Sequence, residues 1–231
     1  MNWDAPHDDP RVESAYAAYR NYVLSVATHY AGTRLLEHFD TSSLGEDVGL
    51  AISDNFSEGL TTIRTVGELK NSIATGEYGQ LCLRLAVVNL CTAFEVLFDS
   101  ISEIYSVSVK SSGDSVSASY HRVSTSPEKL GNKTIMQIRK LHTKLSFDSV
   151  LNADEALMKL NAIIEARNCI VHSGAKIQDE KPMRRLKAYA INHNVGETLH
   201  LPDNLLDDFL HYMGIHVVGF IKKLPSAKLS K

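Results

Sequence analysis

The sequence predicts an all-α protein, a helical bundle with one long Ser-rich insertion loop and a short β lip near residues 198–201. Three observations carry that expectation. Apolar residues recur at steps of three and four over most of the chain, the spacing that lines one side of a helix. Gly, Ser, Asn, Asp and Pro collect between those stretches, where helices stop and turns begin. A brief strand-like alternation at residues 198–201, Thr-Leu-His-Leu, suits only a small strand or extended lip. With 231 residues, 44% of them hydrophobic, the chain suits one domain with a sizeable core.

Taken in order, residues 1–10 read as a flexible N-terminal arm, with Pro10 fitted to a helix start. Over residues 11–38, Val12, Tyr16, Tyr19, Val23, Val26, Tyr30, Leu35 and Leu36 keep near-helical spacing, so one long amphipathic helix is expected. Residues 41–58 read as a loop with room for one helical turn, and 61–74 as a short helix. In the next helix, 77–105, Leu81, Leu85, Val88, Cys91, Phe94, Val96, Leu97, Phe98 and Ile101 leave only a thin polar stripe of Asn89, Thr92, Glu95, Asp99 and Glu103. A helix apolar on most sides belongs at the centre of a bundle. Its most apolar part, 85–98, is shorter than the ~20 residues a bilayer needs.

Residues 106–132 are rich in Ser, contain Pro127 and read as a flexible insertion. A short helix is expected over 134–145. Another runs to Val171 from an N-cap at Asp154, with Gly174 placed to stop it. Residues 176–187 read as a polar, locally basic loop. Pro202-Asp203 opens the last helix, whose acids Asp203, Asp207 and Asp208 come first and whose Lys222 and Lys223 come last, as the helix dipole favours. The domain thus spans 11–225, ahead of a flexible tail at 226–231.

Composition narrows the function. Cys82, Cys91 and Cys169 fall inside apolar helical patterns and read as buried thiols in a reducing cytoplasm, not as a disulfide frame. The acidic N-terminus shows no secretory signal, and no membrane contact is expected. The formal net charge of −3 is unevenly spread. Residues 1–105 carry 6 Lys and Arg against 15 Asp and Glu, whereas 106–231 carry 18 against 12, so a polyanion is drawn to the C-terminal half.

Chemistry is densest at residues 163–174, Ile-Ile-Glu-Ala-Arg-Asn-Cys-Ile-Val-His-Ser-Gly. Glu165, Asn168 and His172, at i, i+3 and i+7, share one helix face. Arg167 sits beside that face, ~140° around the helix from His172. The two converge only through the length of the Arg side chain, a distorted last turn or a second copy of the helix.

The run Arg167-Asn-Cys-Ile-Val-His172, an Arg followed by Asn and then four residues on by His, resembles the signature of the HEPN superfamily, small all-helical proteins of which many are metal-independent ribonucleases. The Val before the His, the Gly two residues after it and the preceding amphipathic helix fit the same pattern. The resemblance spans about 20 residues by motif and the rest by helical architecture. It implies a homodimer with a composite active site, RNA as substrate, no cofactor, and a toxin or phage-defence role with a partner such as an antitoxin. HEPN toxins modified by a nucleotidyltransferase antitoxin often carry Tyr two residues after the His. Here that residue is Gly174, which sets that mode of control aside.

Cutting RNA without a metal requires a base for the ribose 2′-OH, an acid for the 5′-oxygen and positive charge beside the phosphate. Under the resemblance, His172 is the acid/base, Arg167 holds the scissile phosphate, Asn168 orients the imidazole or bonds the backbone, and Glu165 sets the His tautomer. Lys176, Lys181, Arg184 and Arg185 supply phosphate contacts. Glu95 reads either as one more polar group near this site or, more simply, as a rim carboxylate. No metal-ligand set is visible, since His211 and His216 are five apart and no paired Cys occurs. A Cys169–His172 nucleophile pair is the weaker arrangement, because a Cys on an apolar helix is usually inert. The alternative function is a non-catalytic helical scaffold, ligand-binding or dimerisation module.

Overall fold

The computed structural model describes residues 3–40, 42–49, 65–109, 116–118 and 128–226. The fold is all-α, with one small hairpin. Helix α1 (Pro10–Leu35) starts where Asp9 accepts from the Arg11 N–H, with Pro10 in the first turn, and continues as a 3₁₀ turn over Leu36–His38. Helix α2 (Val66–Ala74) opens on a reciprocal cap in which Thr65 accepts from the Glu68 N–H and Glu68 from the Thr65 N–H. The loop expected at 41–58 and the first residues of the helix expected from 61 lie largely outside the described residues.

Helix α3 (Glu77–Ile104) is the centre, packed against α1, α2, α4 (Lys133–Leu145), α5 (Asp154–Ser173) and α7 (Leu205–Lys223). Leu83, Val87, Leu90, Phe94, Leu97, Phe98 and Ile101 fill the core, and Phe98 meets Phe220 of α7 at 5.0 Å between ring centroids. The neighbours cover only one side of α3. Its outer side carries Leu81, Leu85 (54% exposed) and Val96 (58%) among the polar residues, so the thin polar stripe expected from sequence is a broad, half-apolar face. Among the described residues α3 is also the one helix with the length and composition to cross a bilayer, and 56% of its most apolar window is buried inside the fold. Measuring 85–98 alone understated it, because the helix runs for 28 residues.

Four further expectations are corrected. Residues 3–9 are not a loose arm: Ala5 is buried, Tyr16 donates to the Trp3 carbonyl at 2.7 Å, and His7 Nε2 meets the Leu224 carbonyl at 3.0 Å. Those contacts join distant parts of the chain and leave no local signature. The insertion holds an antiparallel pair, β1 (Val116–Ala118) with β2 (Glu128–Leu130), in which Val116 faces Leu130. The alternation Ser115-Val-Ser-Ala-Ser-Tyr120 is a strand signal, hidden in a segment whose Ser content reads as loop. The basic loop contains helix α6 (Glu180–Leu186), opened by Asp179 accepting from the Lys181 N–H and anchored by buried Leu186. Asp154 lies inside α5 after an N-cap at Ala153, and its carboxylate binds Arg139 instead.

The β lip does form, as a single bridge between Lys176 and Thr198. Ile177 N–H donates to Glu197 O at 3.0 Å, and Leu199 N–H to Ala175 O. Helix α3 fastens this lip: Gln80 exchanges two bonds with the Leu201 backbone, 2.8 and 2.9 Å, and Arg84 donates to Leu199 O.

Candidate functional site

The last turns of α5 present the motif. Gly174, at φ 57°, ends the helix in the left-handed conformation that glycine accepts most readily, and the Ala175 N–H closes back on Cys169 O at 2.9 Å. The chain then enters the lip, so both sides of the motif are fixed by backbone bonds.

Arg167 is held from two directions. One terminal nitrogen donates to Asn168 Oδ1 at 3.1 Å, and the other lies 3.5 Å from a Glu95 carboxylate oxygen on α3. Its Nε is buried with no partner among the described residues. In an ideal helix Asn168 is ~100° around from Arg167 and His172 ~140°. The bond to Asn168 therefore turns one guanidinium nitrogen toward the His172 side, while the other is held toward Glu95 on α3. Asn168 positions the Arg; no bond from it to the imidazole is present among the described residues.

His172 is exposed, one turn above Asn168, with no hydrogen-bond partner among the described residues. Beside it Val171, one turn above Arg167, is 49% exposed. An exposed imidazole one turn beyond Asn168, with the guanidinium held on Asn168, offers a proton-transfer group and a positive charge near the end of one helix.

Glu165 does not join them. Its buried carboxylate accepts from Arg185 at 2.8 Å, both side chains being 11% exposed. This ties α5 to α6 and removes Glu165 from the His172 tautomer role and Arg185 from the RNA-binding set. The reason is depth: α5 emerges from the core between 165 and 172, so residues on one face meet different surroundings. Lys176, Lys181 and Arg184 are exposed, the latter two at i, i+3 on α6.

Cys169 is buried, and burial, then the charge of Glu165, pushes its thiol up to about 11, so it is a protonated thiol and no nucleophile near neutrality. Burial likewise pushes the Cys91 thiol up, while its Sγ lies 3.7 Å from the Ile163 carbonyl. Glu95, which sequence reasoning placed more simply on a rim, is the α3 residue that reaches the site. Its signal was its place in the one polar stripe of a core helix. Among the described residues no group of three or more His, Cys, Asp or Glu is placed to hold a metal. Compared with models of protein families, with characterised proteins and with solved structures, the chain finds no match.

Proposed function

We propose that this protein is a metal-independent endoribonuclease of HEPN type, a cytoplasmic homodimer acting as a toxin or phage-defence effector. The observation that supports the reading is the group at the end of α5: a guanidinium fixed by Asn168 and Glu95, with an exposed imidazole one turn beyond. In the reaction the 2′-oxygen attacks phosphorus, the P–O5′ bond breaks, and a 2′,3′-cyclic phosphate remains. The 2′-OH proton passes to one imidazole and the 5′-oxygen takes a proton from another. One chain offers one His172, so a second copy supplies the second imidazole. Arg167 carries the extra charge on the phosphate as the transition state forms.

Val171, one turn beyond Arg167 at the exposed end of α5, favours a second copy packing there. Light scattering is expected to give twice the mass of the chain, and a Val171→Asp variant is expected to halve it. A wild-type monomer at tens of micromolar removes the composite site. The half-apolar outer side of α3, with Leu81, Leu85 and Val96 exposed, supports a second reading, a dimerisation module without catalysis, which predicts assembly but no cleavage.

The test of activity is single-stranded RNA incubated with protein in EDTA. Products with 2′,3′-cyclic phosphate ends are expected, and RNA left whole favours the module. Lys176, Lys181 and Arg184 contact phosphates as non-specific charges. Replacing all three by Ser is expected to lower the slope of log affinity against log salt by about 2, at ~0.7 per phosphate released on a single strand. An unchanged slope makes them solvated surface only.

A further inference from the structure

A cavity of about 630 Å³ opens between α5, α7 and the 3₁₀ turn Lys187–Tyr189. Its α5 wall is Lys159, two turns before Arg167, and none of its lining comes from residues 163–176, so it is separate from the candidate site above. Two buried polar atoms of its lining residues have no hydrogen-bond partner among the described residues, Tyr189 Oη and His216 Nδ1. Buried polar groups are nearly always bonded, so both side chains keep unused hydrogen-bonding capacity beside one cavity, open to a ligand when either ring turns toward it.

The two ends differ in charge. Lys159 and His211 stand near His216, and Asp208 near Tyr189. Burial, then Lys159, holds His216 below the usual imidazole range, with Glu155 opposing and His211 adding to it. Lys159 lies 3.6 Å from a Glu155 carboxylate oxygen, and an anion at this end draws on the charge of Lys159 and favours protonation of His216 and His211. Burial, then the Asp208 charge, pushes the Tyr189 phenol up, so it stays a protonated donor and acceptor. Asp208 and His216 are eight residues apart on α7, ~12 Å along the axis. Between them Tyr212 offers an aromatic wall, its ring 4.4 Å from His216 and its hydroxyl spent on Ala156 O.

We propose that this cavity binds a small elongated molecule with an anionic head, carboxylate or phosphate, between Lys159, His211 and His216 and an amine at the Tyr189 and Asp208 end. The volume is that of an ordinary small-molecule site. The full chain is titrated with 6-aminohexanoate and with 4-aminobutyl phosphate, using hexanoate and hexylamine as one-ended controls, while the His216 imidazole resonance and the melting temperature are followed. Two-ended probes are expected to shift that resonance, raise the melting temperature and bind at least about tenfold tighter than either control, because the second end binds at high effective concentration. The tighter of the two names the head group. Asp208→Asn is expected to erase the advantage over hexanoate, and Lys159→Met that over hexylamine. Both positions are away from the buried core, and a wild-type-like melt of each free variant checks the fold. No His216 shift at millimolar probe, equal binding by the controls, or binding unchanged in both variants overturns the proposal.

Discussion

His172→Ala is expected to lower RNA cleavage by ~10²–10⁴-fold, the usual cost of losing a general acid or base, with a melting temperature close to that of the unaltered chain. The imidazole is exposed and has no hydrogen-bond partner among the described residues, so its loss leaves no buried group behind. Arg167→Lys gives the complementary result. It keeps the positive charge but loses the planar fork that reaches Asn168 and Glu95 together, and a large fall in cleavage with little change in the melt is expected. Both variants are read in one assay, cleavage rate against thermal melt. A His172→Ala protein that cuts RNA as fast as wild type makes the motif assignment wrong and the chain a helical interaction domain.

The largest expected loss of stability lies elsewhere. Arg185→Met is expected to cost ~3–5 kcal/mol, the penalty for removing one partner of a buried ion pair, because Glu165 then keeps a charge in a site where both side chains are 11% exposed. Replacing both, Glu165→Gln with Arg185→Met, is expected to restore most of that loss, since no lone charge remains. Urea denaturation of the two variants and wild type measures it. Cleavage per folded molecule is expected to stay unchanged in the double variant, which separates this pair from the proposed Arg167, Asn168 and His172 group. A single variant as stable as wild type means that solvent reaches Glu165 freely.

The helices were legible where they bury a periodic face. α1, α3, α4, α5 and α7 follow from their three-and-four spacing, and Gly174 marks the end of α5 as a glycine able to turn left-handed. What sequence could not give is which way the remaining faces look. Leu85 and Val96 scored as core because they are apolar, yet no neighbouring helix covers them. α6 was hidden because Pro182 and its charged residues suit a loop, whereas the Asp179 cap, the Arg185–Glu165 pair and buried Leu186 hold it as a helix. In the site, periodicity put Glu165, Asn168 and His172 on one face, but partners come from other elements: Arg185 takes Glu165, Glu95 takes part of Arg167, and Asn168 turns to the Arg beside it. Such pairings depend on helix crossings that a single helical wheel does not contain.

The most direct test of the central claim, that the Arg167, Asn168 and His172 group cleaves through a ribose 2′-OH, is a DNA strand carrying a single ribonucleotide, incubated with the protein in EDTA. The account predicts one cut, immediately 3′ of the ribonucleotide, leaving a 2′,3′-cyclic phosphate on one product and a 5′-OH on the other, and no cut in the all-DNA strand. Cleavage of the all-DNA strand, 3′-OH and 5′-phosphate ends, or no cut at the ribonucleotide by protein that is folded and dimeric would contradict it.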